Sequence, residues 1–157
     1  MQRREIFFGP GSTIEEDAIE ESKLGGLHCS GARIAGDVIL SKFETDSCVV
    51  FIHAEIGGTL RCGGVKFLRP KTRGEQTEPV PRKVLICTGA KIGIDVKLTE
   101  FAAEGAVWFN SAEIGGELLC HKGSFSNGPG LALYCDQVRT ARNINLNELI
   151  GGPTFRS

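Results

Sequence analysis

No apolar run in this 157-residue chain approaches the about 18 residues that a membrane-crossing helix needs, so no span is expected. The opening residues, Met-Gln-Arg-Arg-Glu-Ile-Phe-Phe-Gly-Pro, also lack the long apolar stretch of a secretion signal. A cytoplasmic, bacterial-type location is the expectation. Charge of one sign is missing as well: 18 Lys and Arg stand against 19 Asp and Glu, which argues against a nucleic-acid partner held by a broad basic surface. Six cysteines occur without one C-x-x-C pair, so zinc-ribbon spacing is absent. The three histidines, His28, His53 and His121, have no acid partner fixed by the pattern. No residue is assigned a catalytic, cofactor-binding or metal-binding role, and a protein that is not an enzyme is the leading expectation.

What the chain has is repetition. From Val107 the apolar residues fall at Val107, Phe109, Ala112, Ile114, Leu118, Cys120 and Phe125. Alternation over three residues followed by a break of phase describes a strand that turns a corner. The same register starts at Leu27, Val49, Leu85 and Leu133, with copy starts 22, 36, 22 and 26 residues apart. The variation lies after the closing Phe or just before it, so each copy reads as one structural unit stacked on the next.

Three strand segments of about three residues cannot bury a face alone, and stacking resolves this. As successive coils of a right-handed parallel β-helix about 4.8 Å apart, the copies place each inward residue over its counterpart. The columns read Cys29-Phe51-Cys87-Phe109-Cys135 and Leu40-Cys62-Leu98-Cys120-Leu146, so a small side chain in one meets a large one in the other. Constant interior volume requires this of a closely packed tube. The expected fold is all-β: a single right-handed parallel β-helix of about five coils with a short N-terminal capping helix. Residues 1–26 form an arm and that helix, 27–146 the coils, 68–83 an inserted loop and 147–157 a C-terminal tail.

Ser12 to Leu24 reads as a short helix, with a Ser or Thr cap, acids in its first turn and Gly25-Gly26 to end it. It would cap the first coil, because an open strand edge invites pairing with another chain; a partner-binding helix is the other reading. The loop after Phe67 carries Arg69, Lys71, Arg73, Arg82 and Lys83 and is either a clasp for an anionic ligand or a solvated excursion. Leu149, Ile150 and Phe155 of the tail fold over the last coil or pair with a second molecule.

Outward positions carry more functional information. Arg33, Glu55, Lys91, Glu113 and Arg139 alternate in sign up one face, a ladder that specifies register more than it adds stability. Asp37, Thr59, Asp95, Glu117 and Asn143 precede the third strand piece, where short polar side chains bond corner backbone. A second outward column, His28, Val50, Ile86, Trp108 and Tyr134, is mostly aliphatic or aromatic, and such a stripe points to a contact surface. It faces another chain, most simply a second copy in a homodimer, or it is covered by the Ile6-Phe7-Phe8 segment or by the long loop. Cysteines in one column skip alternate coils and stand about 9.6 Å apart, beyond disulfide reach, so they read as small buried hydrophobes. The exposure of Cys48 is left open.

The tracts Ala54-Glu55-Ile56-Gly57-Gly58-Thr59-Leu60-Arg61-Cys62 and Ala112-Glu113-Ile114-Gly115-Gly116-Glu117-Leu118-Leu119-Cys120 resemble repeats of uncharacterised bacterial proteins, some labelled membrane-associated oxidoreductases. The Ala-x-Ile core of each coil is similar to pentapeptide-repeat proteins, which are right-handed four-sided β-helices; five-residue periodicity here holds from Cys29 to Ile34 and its equivalents. Bactofilins, polymer-forming β-helices, are similar in outline. The pentapeptide resemblance implies a topoisomerase modulator as one function. The residues themselves favour a non-catalytic solenoid acting through protein–protein contact, in its simplest form by self-association along the apolar column. A carbohydrate-binding or carbohydrate-active β-helix, with Trp108 and Tyr134 as a sugar platform, is the alternative.

Overall fold

The computed structural model describes residues 27–40, 44–45, 47–68, 83–126 and 132–146, together with strand pairing at Glu5–Phe8, Glu20–Glu21, Val38–Ser41 and Phe155–Arg156. It is a parallel β-solenoid with no helix among the described residues. Each copy lays down very short strands on successive sides of a tube, and equivalent strands pair in parallel with the copies above and below. Side one stacks Leu27–His28, Val49–Val50, Lys83–Ile86, Ala106–Trp108 and Leu133–Tyr134. Side two stacks Arg33–Ile34, Glu55–Ile56, Lys91–Ile92, Glu113–Ile114 and Arg139–Thr140. Side three stacks Val38–Ser41, Leu60–Arg61, Val96–Lys97, Leu118–Leu119 and Ile144–Asn145.

The vertical files expected from the repeat are present. Ile34, Ile56, Ile92 and Ile114 stand in one file, each 2% exposed, with Thr140 at its end. Cys29, Phe51, Cys87 and Phe109 are buried, as are Leu40, Cys62, Leu98 and Cys120. The large-against-small compensation therefore operates inside the tube, and all six cysteines are free thiols.

Two details differ from the sequence reading. The segment around the closing Phe is a strand in its own right, giving a fourth side of Glu44–Thr45, Lys66–Phe67, Ala102–Glu104 and Ser124–Ser126. Phe67 and Phe125 share a file with Thr45 and Ala103, whereas Phe101 lies two residues earlier, in the position of Val65 and Gly123. The rings zigzag between two files, Phe67 to Phe101 at 5.5 Å and Phe101 to Phe125 at 5.7 Å. Where one file holds Phe the other holds Val, Ala or Gly, and a Cβ on Gly123 would meet the Phe125 ring at 2.6 Å. The second difference is the count: among the described residues side four has no fifth strand, so five copies give about four turns rather than five.

Two antiparallel strands close the first coil. Glu5–Phe8 pairs with Val38–Ser41, setting Ile6 opposite Leu40 and Phe8 opposite Val38, so this arm extends side three and not the apolar column of side one. Glu20–Glu21 pairs with Leu27–His28, which corrects the predicted helix over those two residues; its remainder lies outside the described residues. At the other end Phe155–Arg156 returns to pair in parallel with Leu133–Tyr134, 22 residues on, as a sixth rung of side one. Phe155 is thereby paired within its own chain, while Leu149 and Ile150 lie outside the described residues.

The corners are held by short polar contacts and by left-handed backbone. Asp37 Oδ1 accepts the Thr59 N–H at 2.8 Å and Asp95 Oδ1 accepts the Glu117 N–H at 2.8 Å, each carboxylate bonding the coil above. The first corner takes φ of 72° at Gly31 and 66° at Gly89, but His53, Ser111 and Gln137 adopt 54°, 58° and 57° at the equivalent places. Glycine is thus a convenience at this corner and not a requirement.

Candidate functional site

Side one brings the five outward residues of the apolar column into register, His28 beside Val50, Val50 beside Ile86, Ile86 beside Trp108, and Trp108 beside Tyr134. Their exposure is less than the sequence suggested. Val50 is buried, at 5% exposed, and His28, Ile86, Trp108 and Tyr134 are half-buried. Trp108 and Tyr134 stack with ring centroids 4.3 Å apart and planes 26° apart. Lys83, which the sequence placed in the loop, begins a strand of side one and sets its Nζ 4.0 Å from the Trp108 ring centre. Trp108 Nε1 and His28 Nε2 are buried without a hydrogen-bond partner among the described residues. The other loop residues named above, Arg69, Lys71, Arg73 and Arg82, lie outside the described residues.

Side two carries the charge ladder. Its outward register is Arg33, Glu55, Lys91, Glu113 and Arg139, and Arg33 Nε reaches Glu55 Oε2 at 3.4 Å. Beside the ladder runs an open groove of about 590 Å³ whose floor includes Gly57, Gly93, Gly115 and Ala141. Coil spacing excludes side chains from the middle of that floor. A Cβ on Gly57, Gly93 or Gly115 would run into the carbonyl oxygen of Ala35, Gly57 or Gly93 in the coil before it. Alternating charges cancel along the groove, so it offers no net field to an anion or a cation.

The five buried thiols are chemically quiet. Burial pushes Cys62 and Cys120 up to about 12 and Cys29 and Cys135 to about 11, and Cys87 is raised well above its ordinary value for the same reason. A thiol kept protonated is neither a nucleophile nor a metal ligand at neutral pH. Cys48, whose exposure the sequence left open, is half-buried. Among the described residues no three His, Cys, Asp or Glu side chains gather as a metal site. No helix among them is long and apolar enough to cross a membrane.

A feature of the last coil escaped the sequence reading. Ile144 holds the inward position of Val38, Leu60, Val96 and Leu118, all 0% exposed, yet Ile144 is 40% exposed. Val138 and Leu146 are only partly buried, and Thr140 is half-buried where the isoleucines of its file are covered. The available signal was the end of the repeat itself: an inward side chain is covered only when another coil follows. Comparison with family models, with curated proteins and with solved structures returned no match.

Proposed function

We propose that this protein is a non-catalytic β-solenoid scaffold acting through protein–protein contact, in its simplest form by self-association along side one. The observation that carries this reading is the column itself. Ile86, Trp108 and Tyr134 occupy outward positions on three successive rungs and remain partly open to solvent, and the two aromatic rings are stacked on each other before any partner arrives. Rigid aromatic anchors lose little side-chain entropy on contact, which is why such residues dominate interface energetics. A reducing cytoplasmic location belongs to the same proposal and suits six free thiols.

The carbohydrate alternative needs an aromatic face on which a sugar ring can lie. Here Trp108 sits between the Lys83 ammonium on one neighbouring rung and the Tyr134 ring on the other, so neither of its faces is free for that use. A topoisomerase modulator imitating DNA would need a sustained acidic surface, and side two alternates in sign. The double variant Ile86→Glu/Trp108→Glu tests the contact reading. It is expected to stay folded by circular dichroism and to sediment at lower mass than the wild type; an unchanged sedimentation profile removes the column as the contact face.

A further inference from the structure

We infer that side two is a second contact face, and that it takes side two of another copy of this chain, packed with the two solenoid axes antiparallel. This contact is separate from the side-one column and does not depend on it. Side two is the open wall of the tube: Arg33, Glu55, Lys91, Glu113 and Arg139 are all exposed, and so are Gly57, Gly93, Gly115 and Ala141 on the floor beside them. The outward residues of side one, by contrast, are buried or half-buried. The ladder is also incompletely used within the chain. Arg33 pairs with Glu55, but among the described residues Lys91, Glu113 and Arg139 form no ion pair. At the corner next to this floor Ile94 is 50% exposed, with Gly58 and Gly116 at the same corner of the coils on either side.

Charge selects both the occupant and its orientation. An alternating ladder is matched by another alternating ladder offset by an odd number of rungs, and this chain carries one. A closed pair needs a two-fold axis in the plane of contact. An axis along the solenoid would set every rung beside its own copy, Arg33 by Arg33 and Glu55 by Glu55, like charges throughout. An axis along the strands reverses the order of rungs and keeps position along the strand, so ladder meets ladder. Centred between the third and fourth copies, it sets Lys91 opposite Glu113 of the other copy and Glu55 opposite Arg139, each pair occurring twice. This register uses the three charges left unpaired within the chain and spans the four coils that line the groove. It faces Gly93 with Gly115 and Gly57 with Ala141, a bare floor onto which the charged stems can fold so that the two walls approach. Ile94 then lies over the corner of Gly116 of the other copy. Sliding one copy by a single rung opposes like charges, and sliding it toward the first coil by two leaves Arg139 unpaired and calls on Arg33, already paired with Glu55.

Size sets its strength. Four rungs about 4.8 Å apart, on sides of about three residues, give with their side chains a patch on the order of 400 Å² per copy, about half of what each partner of a stable dimer buries. The contact therefore dissociates on dilution, and because exposed charge pairs hold it, it weakens with salt.

Sedimentation equilibrium on the full chain tests this in the Ile86→Glu/Trp108→Glu background, where the side-one contact is removed. At about 20 mM salt the mass is expected to climb with concentration toward twice the monomer, and at about 500 mM to stay at the monomer. Adding Lys91→Glu, or separately Glu113→Lys, opposes like charges twice in the pair and is expected to leave each variant monomeric. An equimolar mixture of the two is expected to associate again at low salt, because the mixed pair restores opposite signs at both places while nothing within either chain changes. A mixture that stays monomeric overturns the proposal, as does a background chain that is monomeric at low salt or whose association ignores salt. If the background chain does not fold, the same two substitutions are placed in the wild-type chain; the mixture is then expected to exceed the low-salt mass of either variant alone, and equal masses overturn the proposal. The side-one reading is judged separately, by wild type against the background variant at high salt.

Discussion

The first and last coils are built from the same repeat and end in opposite states. At the first, Cys29, Ala32, Ile34, Val38 and Leu40 are no more than 2% exposed and two antiparallel strands pair with the edges of sides one and three. At the last, Ile144 is 40% exposed and Thr140, Val138 and Leu146 are incompletely covered, although the tail adds Phe155–Arg156 to side one. A repeat supplies half of each layer's burial, and the other half comes from whatever lies above. The first end obtains it from sequence outside the repeat, through the strands Glu5–Phe8 and Glu20–Glu21.

The largest expected effect separates two positions of one file. Leu118→Ala should cost about 2–5 kcal/mol, because a fully covered leucine leaves both a lost transfer energy and a cavity. Ile144→Ala, one rung further on, should cost roughly 1 kcal/mol or less at concentrations where the chain is monomeric, since its side chain already meets water. Urea unfolding of the two variants measures the difference directly. Equal losses would mean that the last coil is as well covered as the fourth.

A smaller effect comes from the floor of side two. Gly93→Ala places a Cβ against the Gly57 carbonyl oxygen, a backbone atom that moves only if the coils part, and should cost about 1–3 kcal/mol. The same file ends in Ala35 at the first coil and Ala141 at the last, where side chains are present. Ala141→Gly should therefore change stability by no more than about 0.5 kcal/mol. If both substitutions proved neutral in thermal unfolding, the coils would be looser than the hydrogen bond from Gly93 N–H to the Ile56 carbonyl, at 2.7 Å, implies.

How far the sequence reveals this molecule depends on what each residue must satisfy. The isoleucine files and the paired cysteine columns are legible, because spacing within a copy is fixed and volume must be conserved across the tube. The Asp37 and Asp95 corners are legible because a short carboxylate before a strand has backbone donors within reach. The fourth side is not: Phe67 and Phe101 look equivalent in a pattern that counts aromatics, while their neighbours Val65 and Ala103 decide which of two files each ring enters. Nor is the covering of the side-one column legible, since alternation assigns Val50 outward and says nothing of what packs over it. Lys83 illustrates the same limit, a charged loop residue by composition and a strand residue against Trp108 in space. Ile144 obeys the pattern and is nonetheless exposed, because periodicity specifies direction and burial requires a neighbour.

The smallest expected effect lies in the thiols, and it sharpens the contrast between the ends without altering the fold. Cys29 and Cys135 hold the same position in the first and fifth copies, and burial raises each to about 11. Cys29 is 0% exposed at the sealed end and Cys135 is 6% exposed near the open one. With a thiol-specific reagent at neutral pH, half-buried Cys48 should be labelled first, Cys135 next, and Cys29 only on the timescale of unfolding. The pH dependence follows from the direction of the shifts. The interior favours the neutral thiol, so the stability linked to these groups is fully present below the ordinary value of 9.0. It is lost as pH rises from there toward about 12, where Cys62 and Cys120 ionise in the folded chain. Peptide mapping of the labelled positions over time distinguishes the two ends: equal rates at Cys29 and Cys135 would show that the last coil opens no more readily than the first.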